Sequence, residues 1–138
     1  MTIKVALAGA GAFGIKHLDG IKNIADVEVI SLISRDQSKT DEVAARYGIA
    51  HTSTKLEDAL AIKEVDAVIL CTPTQMHAGQ TLACPDAGKH VEVEIPMCDV
   101  FADGQKIIER QQATGLIAMC GHTRRFNPSH QWIHKKIA

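Results

Sequence analysis

Three glycines in the string Gly9-Ala10-Gly11-Ala12-Phe13-Gly14 stand between a short apolar run, Ile3–Ala8, and a helical pattern. That pattern is Ile15, Leu18, Ile21 and Ala25, spaced 3, 3 and 4, which marks one face of a helix. A strand, a tight glycine turn and a helix in this order can hold a diphosphate. Gly9 turns the chain, Gly11 lets the backbone approach the phosphates without a Cβ in the way, and Gly14 lets helix and strand pack closely. The helix N-terminus adds unpaired N–H groups and the positive end of its dipole. A second apolar run, Val27–Ile33, follows within about thirty residues of the first, as a dinucleotide-binding unit requires.

The end of that second run decides which adenosine sugar is accepted. An acid there would grip the ribose hydroxyls of NAD and repel a 2′-phosphate, but the sequence has Ser34-Arg35. Serine removes the repulsion, and a guanidinium pairs with phosphate or stacks on adenine. NADP is therefore expected ahead of NAD. The competing reading has Arg35 solvated and Asp36 reaching the ribose, which restores NAD.

The rest of the chain supplies elements to position these groups. Val65–Cys71 reads as a fourth strand, His90–Ile95 as a fifth and Leu116–Cys120 as a sixth. Helices are expected from Ser38 to a stop at Gly48 and from a Thr54/Glu57 capping box to about Ala61. Another follows Pro73, with Gly88 to end it and Pro85 to kink it or finish it early near Cys84. The next runs from Asp99 to about Thr114, and a last one opens at Asn127-Pro128. Six strands alternating with helices imply right-handed crossovers and an α/β, Rossmann-type doubly wound parallel sheet, a nucleotide-binding domain. Glu92 fits poorly: it interrupts a strand that should be apolar throughout, and needs either an exposed strand end or a buried partner.

Composition narrows the classes. The chain has 138 residues, 46% apolar and 22% charged, as expected of a single globular domain. A net charge of −1 argues against a nucleic-acid binder or a polybasic membrane anchor. The longest apolar run, Val5–Ile15, is rich in Ala and Gly and falls short of a membrane span; a helical pattern follows where a signal cleavage site should be. A cytoplasmic protein is expected. Its four cysteines at 71, 84, 98 and 120 have no zinc spacing and read as reduced thiols, two of them on buried strands. His130 and His134 are four apart, yet Gln131 occupies the place of a metalloprotease base, so no metal is expected.

In a doubly wound sheet, ligands lie outside the carboxyl ends of the strands. Those ends deliver C-T-P-T-Q-M-H (71–77), E-I-P (94–96) and H-T-R-R-F-N-P (122–128). With the glycine fingerprint and G-K-H-V (88–91), this ordered set resembles the glucose–fructose oxidoreductase/inositol dehydrogenase family over the whole chain. The resemblance implies an NAD(P)-dependent dehydrogenase acting on a CH–OH group. It implies that the backbone of Ala10, Ala12 and Phe13 meets the diphosphate and that Ser34 and Arg35 meet the adenosine. Cys71, Thr72, Pro73 and His77 would border the ribose and diphosphate, and Glu94, Ile95 and Pro96 would flank the nicotinamide.

The sequence departs from the family at Ile95, where most members have the lysine of E-K-P, and at Thr74, where many have Asn; Glu92 and Pro85 are also unusual. By resemblance, E-I-P suits a branch that oxidises the cyclic hemiacetal of a ring-cleavage semialdehyde, which implies that substrate rather than a sugar or polyol. A polycarboxylate substrate needs cationic forks, for which Arg124 and Arg125 are the candidates unless they pair locally. By resemblance, a helix from about residue 128 leads into a second, substrate-binding domain beyond 1–138, which would also carry the catalytic acid/base and any homo-oligomer interface. A non-catalytic NADP-binding module is the alternative.

Overall fold

The computed structural model describes residues 2–137. In chain order the elements are β1 (Ile3–Ala8), α1 (Ala12–Ile21), β2 (Val27–Ile33), α2 (Gln37–Tyr47), β3 (His51–Ser53), α3 (Leu56–Leu60) and β4 (Ala67–Leu70). Then come α4 (Thr74–Asp86), β5 (His90–Glu94), α5 (Phe101–Thr114), β6 (Ala118–Gly121), a 3-10 turn (Thr123–Phe126) and α6 (Pro128–Ile137). The six strands form one sheet in the order β3-β2-β1-β4-β5-β6, and every pairing is parallel. The expected Rossmann-type sheet is present. Its order reverses between β1 and β4, which opens a crevice at their carboxyl ends.

Strand alternation divides the core into two layers. Ala6, Ala8, Val68, Leu70, Val91 and Val93 face one way, onto Leu56 and Ala59 of α3 and Cys84 of α4. Leu7 and Leu32 face the other, onto Leu18 of α1, Val43 and Ala44 of α2, and Ile49. Lys89 is also buried; its ammonium donates to the carbonyls of Ile62 (2.9 Å), Lys63 (3.3 Å) and Val65 (2.6 Å), closing the turn between α3 and β4.

Several local expectations are corrected. The first helix ends at Ile21, so Ala25 lies outside it. The α2 cap is Asp36 rather than Ser38: its carboxylate accepts the Lys39 N–H at 3.1 Å. The Thr54 capping box does not form. Lys55 occupies the N-cap of α3, and the Ser53 hydroxyl accepts the Lys55 N–H while donating to Asp58. Pro85 neither stops nor shortens α4, which continues to Asp86. In the last turn its ring removes a single N–H, and the turn is closed by the N–H of Ala87 on the carbonyls of Ala83 and Cys84. β3 is too short, at three residues, for its alternation to mark it.

The buried thiol is Cys84, on a helix; Cys71 at the end of β4 and Cys120 in β6 are half-buried, and all four thiols are free. Glu92 has neither of the solutions expected for it. It lies mid-strand with its Oε2 buried and unpartnered among the described residues, above Gly121, where a Cβ would collide with its Oε1. Trp132, Ile133 and Ile137 do not pack on the sheet; they are exposed on α6. Among the described residues no helix is long and apolar enough to cross a membrane.

Candidate functional site

The glycine turn closes on itself through contacts that exclude side chains. Gly9 adopts φ +112°, and a Cβ there would strike the Cys71 carbonyl oxygen. A Cβ on Gly14 would fall on the Gly9 carbonyl oxygen and press on Leu7 at 3.1 Å. Gly11 differs: nothing lies within 4 Å of its would-be Cβ. It is the N-cap of α1, no side chain caps the helix, and no acid stands in the first turn. The leading N–H groups of α1 therefore face open space at the positive end of a helix dipole. This cradle fits a diphosphate in shape and in charge.

Two cavities meet at this turn and share Cys71, Thr72 and Pro73. One, about 570 Å³, runs from Gly9, Ala10 and Gly11 to Ser34 and Arg35. The other, about 600 Å³, runs from Phe13 past His77, Glu94 and Ile95 to Thr123, Arg124 and Asn127. They lie on either side of the shared Cys71–Pro73 segment, one for each half of a dinucleotide hinged on the diphosphate. Sequence candidates thus converge on one cleft from five strand ends. Ala12 and Pro96 line neither cavity, and Gly14 is buried beneath the turn.

At the adenosine end, Asp36 is committed to α2: besides the cap, its Oδ2 lies 3.9 Å from the Lys39 ammonium. Arg35 is exposed in the cavity, and among the described residues it pairs with no carboxylate. Thr54, Lys55 and Glu57 line the same cavity. Sequence reasoning assigned that segment only a capping role; parallel pairing of β3 with β2 carries it to the site.

The other end is built on histidines. His77 is 2% exposed, with Nδ1 2.7 Å from the Pro96 carbonyl and Nε2 2.7 Å from the Thr72 carbonyl. No ring nitrogen is free for a ligand. His17, absent from the sequence reading, places Nε2 2.8 Å from Oε1 of Glu94, whose Oε2 accepts the Ile95 N–H at 3.3 Å. It sits one helical turn beyond the glycine motif, a position no phosphate-binding pattern singles out. Burial pushes the Glu92 carboxyl up, and Glu94 adds to this, while His17 and His77 oppose it. Burial and the same two acids push the Cys71 thiol up to about 12, which makes it a poor nucleophile.

The two candidate substrate arginines separate. Arg124 reaches the 600 Å³ cavity; Arg125 lines only a surface hollow with His130, Gln131, His134 and Lys135. Neither pairs with a carboxylate among the described residues. Lys16 of α1 faces the same cavity as Arg124.

Residues 3–122 match the model of an oxidoreductase family with an NAD-binding Rossmann fold. The chain belongs to this oxidoreductase family. It is 62% identical over 135 residues to a 4-carboxy-2-hydroxymuconate-6-semialdehyde dehydrogenase of Sphingobium sp. (strain NBRC 103272 / SYK-6), covering 98% of this chain and 43% of that one. It is 31% identical to an NADP(+) scyllo-inositol 2-dehydrogenase of Bacillus subtilis, covering 99% of this chain and 38% of that one. Among solved structures, scyllo-inositol dehydrogenase from Lactobacillus casei with NAD(H) and scyllo-inositol superposes with a TM-score of 0.91 at 24% identity, over 99% of this chain and 41% of that one, a likeness of fold. The chain thus spans about two fifths of the length of these relatives.

Proposed function

We propose that residues 1–138 are the coenzyme-binding domain of an NADP-dependent dehydrogenase. Its substrate is the cyclic hemiacetal of 4-carboxy-2-hydroxymuconate-6-semialdehyde and its product 2-pyrone-4,6-dicarboxylate. The observation that carries the coenzyme reading is the cleft itself: an uncapped helix N-terminus on a glycine turn, opening toward an Arg35 that pairs with no carboxylate among the described residues, while Asp36 is turned into α2. Ser34 and Arg35 take the 2′-phosphate, and the N–H groups of Ala12 and Phe13 take the diphosphate. Glu94, Ile95 and the cleft side of the Thr72 loop border the nicotinamide. When bound, NADP supplies a hydride acceptor; the chain's part is to bind it, orient it and exclude water from its reactive end.

The substrate reading rests on the 62% identity to the semialdehyde dehydrogenase and on cations at the nicotinamide end. Arg124 and Lys16 face a cavity that Ile95 also lines, apolar where a lysine would suit a polyol. A carboxylated substrate is matched by those cations. In this reading α6 leads into a substrate-binding domain that contributes the acid/base, as the greater length of the relatives allows.

The test is coenzyme reduction by the full-length protein with two substrates. The ring-cleavage semialdehyde is expected to give NADPH at a kcat/KM at least about a hundredfold above that with myo-inositol, a discrimination of the order that misplaced or missing charged contacts produce. Preference for inositol would overturn the substrate assignment.

A further inference from the structure

His77 joins two loops that no strand pairing joins. Thr72 belongs to the loop after β4 and Pro96 to the loop after β5, and the imidazole reaches both carbonyl oxygens at 2.7 Å. A carbonyl oxygen only accepts hydrogen bonds. A neutral imidazole has one N–H and one lone pair, so it satisfies one of these carbonyls and directs a lone pair at the other. Only the doubly protonated ring donates to both. We propose that His77 is held as an imidazolium, a fixed cation that staples the two loops at the nicotinamide end of the cleft.

A cation that is 2% exposed requires counter-charge close by. Two acids of β5 stand near it: Glu94 lines the same cavity as His77, and the charge of His77 acts on Glu92. Glu94 is engaged by His17, whereas Glu92 keeps an oxygen with no partner among the described residues and feels the charge of both imidazoles. Cys71, Lys16 and Arg124 line the same cavity as His77. A buried Glu94 and a half-buried Glu92 thus stand with a buried His77 and a half-buried His17, two acids for two imidazoles. Ordinary core histidines donate from one nitrogen and accept at the other; a site with two carbonyls and neighbouring acids is different.

The location at the nicotinamide end rests on the coenzyme reading above, but the charge state does not. Two-bond proton–nitrogen spectra of protein labelled at histidine, at neutral pH and without ligand, read it directly. The His77 signals are assigned by loss in His77→Gln or, if that variant does not fold, by elimination through replacement of the other six histidines. Two protonated, pyrrole-type nitrogens are expected. One pyridine-type nitrogen overturns the proposal. For the stapling role, His77→Gln, which reaches one carbonyl at most, is expected to weaken NADP binding about tenfold, the order of one lost charge-assisted hydrogen bond. An unchanged Kd overturns that role. If the wild-type protein bound no NADP, the coenzyme reading would fall while the spectra still decided the charge.

Discussion

Gly14→Ala is expected to abolish coenzyme binding and to destabilise the domain by about 3 kcal/mol or more, because the new methyl has no space to enter. Its nearest neighbours are backbone: the Gly9 carbonyl oxygen, then the Gly9 carbonyl carbon at 3.0 Å. Neither moves without pulling the turn off β1, whose end is fixed by the Gly9 N–H on the Ile33 carbonyl (2.7 Å). Gly11→Ala separates folding from binding. Gly11 has φ −82°, which alanine adopts freely, and its Cβ would meet nothing within 4 Å. That variant is expected to melt within a few degrees of the wild type yet bind NAD and NADP at least about tenfold more weakly, since its methyl occupies the space of the diphosphate. Thermal denaturation and coenzyme titration of both variants check this pair. Normal coenzyme affinity in Gly11→Ala would remove the diphosphate from this turn.

Arg35→Ala is expected to weaken NADP binding by about thirtyfold while leaving NAD within about twofold, the size of a charge-assisted contact to one phosphate. Ser34→Asp should act more strongly. It places a carboxylate where the 2′-phosphate lies and offers an acceptor to the ribose hydroxyls, so NADP weakens while NAD tightens. Asp36→Ala serves as the contrast. Its carboxylate caps α2, so its loss should lower stability by about 1 kcal/mol with the NADP to NAD ratio unchanged. A ratio that moved with Asp36 and not with Arg35 would reverse the assignment of the adenosine pocket.

The order of strands and helices was legible because a parallel sheet imposes runs of apolar residues separated by glycine stops. Gly48 and Gly115, both left-handed in the structure, fall where the helical patterns end. The residues of the cleft were legible for a related reason: they sit at strand ends, and the topology carries every such end to one edge. What was not legible depended on pairs distant in sequence. His17 and Glu94 are separated by 77 residues, and only the fold brings them together. Thr54, Lys55 and Glu57 reach the adenosine cavity through a three-residue strand with no periodicity of its own. Caps were misplaced at Ser38 and Thr54 because several side chains at a helix start are chemically able to cap, and the backbone geometry chooses among them. Arg124 and Arg125 are adjacent in sequence, yet the 3-10 turn that carries them sends only Arg124 to the cleft.

The account turns on a glycine turn that holds a diphosphate and a guanidinium that takes an added phosphate at the adenosine end. Titrating the purified protein with NADP and NAD side by side, under one salt condition, tests both at once. NADP is expected to bind at least about tenfold more tightly, the contribution of one phosphate–guanidinium contact. Equal or tighter binding of NAD, or saturation by neither, would contradict it.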